Sequence, residues 1–236
     1  MLVNVGKLMS HTSTKGGGGV KHPFNPSLVD AWFMSGLPNS DKPTQIVGVK
    51  KNELQLKNFA FTSESGFGEG AYEGALVFDG VDDYGMCTGL PIMDDYTVIC
   101  RREIISIKNS SAVASKRTYP DDVGNFGAFI FERVFTSGRK SIYSFGSPTG
   151  ISEFDSNEVV YQTKTSYNGT TITSGSSNDS DTLCLGANAY NIPLGRCQEF
   201  SNVAIYYFAL YDKSLTVEEI ETEKERLNEE WLKRKN

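Results

Sequence analysis

The sequence predicts an all-β fold: a two-sheet antiparallel jelly-roll sandwich with one C-terminal α-helix and a flexible, Gly-rich N-terminal arm. Three observations carry this. About a dozen short apolar or alternating runs follow one another from Leu28 to Tyr211. Turn dipeptides, among them Asp79-Gly80, Ser137-Gly138 and Asn168-Gly169, stand between them at hairpin spacing. Helical periodicity is confined to the end of the chain. With 236 residues, 39% of them hydrophobic, the chain can bury one full core, and sandwiches of this length form single domains.

Taken in order, residues 1–27 hold the run Gly16 to Gly19 and then Pro23 and Pro26, a composition that cannot bury enough apolar surface to fold alone. GGGGVKHP lacks the terminal G-K-[ST] of a phosphate loop, so the segment reads as an arm. The sandwich, residues 28–215, begins with LVDAWFM, whose alternation sends Trp32 to the core. IVGVKK and ELQLKNF follow, then ALVFDG and YGMCTG on either side of a tight acidic corner. YTVICRREIIS, AVASKR, GAFIFERVF and SIYSFG form the middle, and VVYQTKTSY, TITSG, LCLGAN and VAIYYFALY close it. In residues 216–236, Thr216 caps a helix with Glu219 as its reciprocal partner, and Leu215 and Ile220 stand where a hydrophobic staple needs them. Val217, Ile220, Leu227 and Trp231 fall on one face. That stripe is expected to dock on the sandwich at first and, from Glu223 onward, to project toward a partner helix. The chain is accordingly expected to form a homo-oligomer, a dimer or trimer, through the arm or the helix.

A net charge of -6 without a basic stripe argues against nucleic acid as a partner. About 18 consecutive apolar residues occur nowhere, so no membrane insertion is expected. No apolar h-region marks an export signal, which leads to the expectation of a virion-associated or cytoplasmic protein. Cys87, Cys100, Cys184 and Cys197 form no C-x-x-C pair, and His11 and His22 both lie in the arm. A zinc site and a Ser/His/Asp triad are therefore not expected; the cysteines read as free thiols on strands, with two bridges in an oxidising compartment as the alternative.

The corner FDGVDDY, residues 78–84, resembles the signature corner of laminin G-like domains in the concanavalin A-like lectin and glucanase superfamily. FSNVAIYYFALYDKSLTVEEI, residues 200–220, resembles their closing segment. SYNGTTITSG followed by DTLCLGAN resembles their late pair of strands. The resemblance implies a concanavalin A-like jelly roll, in a family whose members include sugar binders, protein binders, glycosidases and structural modules. More loosely, the chain resembles domains of phage and gut-bacterial surface proteins.

A glycosidase of this superfamily would need E-[IL]-D-x-x-E on a strand. The near match EIETE, residues 219–223, lies in the capped helix, where Glu219 and Glu223 are expected on one solvated face. Phe131-Glu132 and Glu153-Phe154-Asp155 are isolated carboxylate-aromatic possibilities. The expectation is thus a module that is not an enzyme and needs no cofactor. Asp79, Asp82 and Asp83 either fold the corner through turn chemistry or contribute to a calcium site with Asn188 or Asn191. Two polar, aromatic-bearing loops are the expected ligand contacts: Arg117, Tyr119, Asp121, Asp122 and Asn125 in one, Asn188, Tyr190, Asn191 and Arg196 in the other. These lead to carbohydrate or surface recognition within a larger assembly, with a glycan or other protein subunits as partners. The alternatives are a purely structural phage or prophage component and a glycoside hydrolase.

Overall fold

The computed structural model describes residues 23–107, 110–118, 126–176, 180–189 and 197–236. Along the chain its strands are β1 (Leu28–Phe33), β2 (Gln45–Val47), β3 (Glu53–Lys57), β4 (Gly66–Phe67), β5 (Leu76–Asp79), β6 (Tyr84–Cys87), β7 (Thr97–Ser106), β8 (Ser111–Thr118) and β9 (Phe126–Val134). There follow β10 (Lys140–Ser144), β11 (Ser147–Ile151), β12 (Val159–Thr163), β13 (Ser166–Tyr167), β14 (Thr170–Thr171), β15 (Leu183–Leu185), β16 (Asn188–Ala189), β17 (Cys197–Gln198), β18 (Asn202–Tyr211) and the helix α1 (Val217–Lys235). One antiparallel sheet runs β14-β13-β12-β7-β18-β5-β4, with β1 also paired to β18. The other runs β11-β10-β9-β8-β15-β6-β3-β2, and β16 and β17 form a separate ribbon. The two-sheet sandwich closed by one helix is the fold the sequence predicts.

Alternation supplies the core. Trp32, Phe78, Val98 and Phe208 of the first sheet meet Leu54, Val113, Phe129 and Leu185 of the second, joined by the small side chains of Ala114 and Ala128, while Phe33, Val77, Ile99 and Tyr207 face the other side of the first sheet. Trp32 is wholly buried, and its indole N–H donates to Asn52 O at 3.0 Å. The predicted Asn168-Gly169 turn has φ of 43° and 82° and joins β13 to β14, with both residues left-handed as a tight hairpin turn requires.

The outer face of the first sheet is also apolar. Ala31, Ile99, Ala204 and Ala209 form a low surface on which α1 lays Ile220, Leu227 and Trp231. The capping box is present: Thr216 accepts from Glu219 N–H at 3.2 Å, and the Glu219 carboxylate accepts from Thr216 N–H at 2.8 Å. The expected stripe is corrected in two ways. Val217 is 65% exposed, and its place is taken by Glu223, which is 1% exposed. Glu223 is therefore not on a solvated face; it accepts from Tyr211 O–H at 3.0 Å and Asn25 N–H at 3.2 Å and pairs with Arg226. Nor does the second half of α1 project. Leu227 and Trp231 are buried on the chain's own sheet, because that sheet face would otherwise stand in water.

Residues 1–22 of the expected arm lie outside the described residues. Residues 23–27 are held: Phe24 packs against the helix-sheet cluster, and Leu28 N–H donates to Asn25 O at 2.9 Å.

Candidate functional site

At the acidic corner, Asp79 Oδ1 accepts the N–H of Val81 at 2.7 Å and that of Asp82 at 3.4 Å. Asp83 is wholly buried, and its Oδ2 accepts the Asp79 N–H at 3.0 Å. Gly80 makes the turn possible at φ +71°, where an added Cβ would lie 2.8 Å from Asn202 N. Turn chemistry thus uses Asp79 and Asp83 directly. Burial pushes the Asp83 carboxyl up to about 6. The Ser65 hydroxyl and the Asp79 N–H work against this, while the charges of Asp79 and Asp82 add to it.

Donor atoms of Asp79, Asp82 and Asp83 lie within 4.8 Å of one another, a spacing that a cation could bridge. Calcium takes about six to eight oxygens. Asn188, the further ligand expected, is wholly buried; its side-chain N–H donates to Glu199 Oε2 at 2.8 Å, while its oxygen, the atom calcium would bind, has no hydrogen-bond partner among the described residues. Asn191 lies outside the described residues.

The two expected ligand loops fall mostly outside the described residues: Tyr119, Asp121, Asp122, Asn125, Tyr190, Asn191 and Arg196. The two that are described are not rim-exposed. Arg117 is 5% exposed at the end of β8, and Asn188 is wholly buried beside the Arg133–Glu199 pair. Next to Arg117, Lys116 is also wholly buried; its ammonium donates to Ser180 O, and burial lowers it to about 8.

A groove of about 650 Å³ lies elsewhere, and strand lengths create it. β12 pairs only with residues 97–101 of β7, whereas β7 continues to Ser106. The last backbone bond along that edge runs from Arg102 N–H to Glu158 O at 2.9 Å. Beyond it the end of β7 faces the segment 153–158 across the groove, with Phe154, Ile104 and Ile105 as apolar surface and Glu103, Ser106 and Glu158 as polar wall. A second hollow of about 440 Å³ adjoins it, shares Asp155 and Glu158, and reaches Tyr161 and Lys224.

The groove wall is fixed from beneath by a buried ion pair between the sheets. Arg102 Nε donates to Glu132 Oε2 at 2.8 Å, and its Nη2 pairs with the other carboxylate oxygen. The same guanidinium donates to Asn157 O at 2.7 Å and Asp155 O at 2.9 Å, and Tyr167 O–H donates to Glu132. Burial opposes the charge on Arg102, but the bonds and charge of Glu132 outweigh it and hold the guanidinium more basic than usual. Burial, with the Glu132 charge next, raises the Tyr167 hydroxyl and keeps it protonated.

Glu132 reaches this position through a bulge. It has φ +50°, and the β9–β10 register shifts beside it, so Phe131 and Glu132 both turn inward. Glu153 and Asp155, isolated in sequence from Glu132, thereby come near it: the two line the groove, while Glu132 lies behind it and is tied to its wall through Arg102. Sequence reasoning missed Glu103, Ser106 and Glu158. The one signal for them is that YTVICRREIIS is about twice as long as VVYQT, so that one end of β7 must overhang.

No family model matches the chain, and no curated protein matches it. Among solved structures it is similar to Trypanosoma rangeli sialidase in complex with sialic acid, at 12% identity and a TM-score of 0.57, over 87% of this chain and 33% of that one. It is also similar to the binding domain of botulinum neurotoxin serotype D, at 11% identity and a TM-score of 0.50, over 84% of this chain and 51% of that one. The chain thus spans a third of the sialidase and half of the toxin domain. At these identities the likeness is one of fold, a β-sandwich, which is coarser than the laminin G-like assignment. The expectation that the chain is not an enzyme is corrected: sialidases are enzymes, and a fold found within them gives no ground for excluding catalysis.

Proposed function

We propose that the chain recognises carbohydrate, and that the groove between the end of β7 and residues 153–158 holds it. The observation that carries this reading is the groove itself, where the Phe154 ring and isoleucine side chains sit among carboxylates and hydroxyls. An aromatic face stacks on the apolar side of a sugar ring, while Glu and Ser side chains bond its hydroxyls. The adjoining hollow extends the length available to a chain of sugars. Support also comes from fold likeness to a sialidase in complex with sialic acid and to a toxin binding domain.

The charge balance narrows the ligand. Around the groove Lys140 pairs with Glu153, Arg101 with Glu158, Arg102 with Glu132 and Lys224 with Glu221, which leaves Glu103 and Asp155 as the bordering charges outside these ion pairs. Such a surface repels carboxylated sugars and favours neutral ones. A glycan array with neutral and sialylated oligosaccharides, followed by calorimetry, tests this. The expected result is binding of neutral glycans that weakens at least ~10-fold, about 1.4 kcal/mol, in Phe154→Ala and Glu103→Gln, with circular dichroism unchanged. Silence on the array together with stable oligomers would favour a purely structural role in a particle. Assay of the bound glycans for new reducing ends determines whether recognition is accompanied by hydrolysis.

A further inference from the structure

Cys184 and Cys197 stand apart from the other cysteines. Cys184 is the middle residue of β15, whose neighbours Leu183 and Leu185 enter the core, so its side chain points to the outer face of the second sheet. The β16–β17 ribbon folds over that face and brings Cys197 to it, with the two sulfurs 3.2 Å apart. That is about 1 Å longer than a disulfide bond of ~2.05 Å. Among the described residues no such sulfur contact involves Cys87 or Cys100, both buried.

The ribbon has reason to be tied down. It has only two paired positions, Asn188 with Gln198 and Ala189 with Cys197, and an isolated two-stranded ribbon is marginal in water. A small cluster of Ala187, Ala189, Tyr84 and Phe200 with the two cysteines is the apolar contact under it.

We propose that Cys184 and Cys197 are an oxidisable pair whose disulfide staples the β16–β17 ribbon onto the outer face of the second sheet. The oxidant is a small disulfide such as oxidised glutathione. Cys197 is half-buried and can be reached from solvent, whereas Cys184 cannot, so Cys197 reacts first. Its thiolate attacks one sulfur of the reagent, forming a mixed disulfide and releasing one glutathione thiolate. Cys184 then attacks the Cys197 sulfur, its proton passes to solvent or to the departing thiolate, and the second glutathione leaves. Two protein thiols are oxidised, and one glutathione disulfide is reduced to two thiols. Until that step Cys184 keeps its proton, since the hydrogen bond with Cys197, then burial, holds it well above the usual thiol range. Burial likewise pushes Cys87 up to about 12 and Cys100 higher still, which leaves both unreactive. The closed ring contains Asn188, Tyr190, Asn191 and Arg196, although the inference does not depend on what those residues bind.

The test equilibrates the folded full chain with mixtures of reduced and oxidised glutathione without oxygen. Free thiols are then counted in denaturant, and the linkage is mapped by peptide mass. The expected result is a fall from four thiols to two, with the bond between Cys184 and Cys197 and reversal by excess dithiol. Cys197→Ser, a change at a half-buried site, should keep three thiols throughout. Cys184→Ser should instead accumulate a glutathione adduct on Cys197. Four thiols persisting under the most oxidising mixture would overturn the proposal, as would a bond mapped to any other pair or a stable adduct on wild-type Cys197 without closure.

Discussion

Asp83 is a carboxyl with no exposed surface, held by the Asp79 N–H at 3.0 Å and pushed by burial to about 6. An Asp in the unfolded chain titrates near ~3.9. Between these values the folded chain holds a proton that the unfolded chain gives up, so the contribution of this carboxyl to stability is fully present below pH ~4 and is lost as the pH rises from there through about 6. Asp83→Asn keeps the shape and cannot ionise. Urea unfolding of both proteins from pH 4 to 7 should therefore show the wild type losing on the order of 1–3 kcal/mol relative to the variant. We propose on this basis that the corner serves folding, and calcium bound there would reverse the trend by favouring the ionised form. Addition of calcium or a chelator at pH 7 is expected to leave the melting temperature unchanged; a rise with calcium that disappears in Asp82→Ala would make the corner a metal site.

At the scale of elements, two irregularities matter more than the regular strands. The bulge at Glu132 puts the wrong residue, by simple alternation, into the sandwich, where the Arg102 fork and the Tyr167 hydroxyl make a buried carboxylate tolerable. The helix α1 depends on Trp231, whose indole N–H donates to Gly74 O at 2.9 Å while its ring meets Tyr206 edge-on at 5.6 Å and lies under the Arg101 guanidinium at 4.1 Å. Gly74 is required there, because at φ +86° a Cβ would stand 2.9 Å from the same indole. Trp231→Ala should destabilise the protein by about 3–5 kcal/mol in denaturant titration, the range for a buried aromatic. A loss below about 1 kcal/mol would mean that the helix is an appendage and not part of the fold.

For the whole molecule, α1 acts as a third layer over the first sheet, and this changes what can hold copies of the chain together. The apolar stripe that suggested a shared axis is already covered. We propose that self-association, as a dimer or trimer, runs through residues 1–22. Sedimentation at tens of micromolar should then show the full chain as an oligomer and the chain lacking 1–22 as a monomer. Removal of 216–236 should give aggregates, because it uncovers Ala31, Ile99, Ala204 and the tyrosines of β18 as one broad apolar face. A monomeric, soluble chain without the helix would contradict the three-layer account.

The sequence by itself determined the sandwich, the capped C-terminal helix, the Asn168-Gly169 hairpin and the corner at Asp79-Gly80. Each is written in residues close along the chain: period-two alternation, a capping box three residues apart, glycines where the backbone turns left-handed. It named the carboxylates of FERV and SEFDS but not their convergence. That depends on which strands pair and where one outruns its partner, as β7 outruns β12, and on a bulge that breaks the alternation on which the reading relied. Glu223 was misjudged for the same reason. Charge and helical spacing put it in water, whereas the neighbours that bury and satisfy it, Asn25 and Tyr211, are brought to the helix by the first and last strands of the sandwich. Only the tertiary structure decided the groove, the buried Arg102–Glu132 pair and the meeting of Cys184 with Cys197, because each joins residues that no local pattern relates.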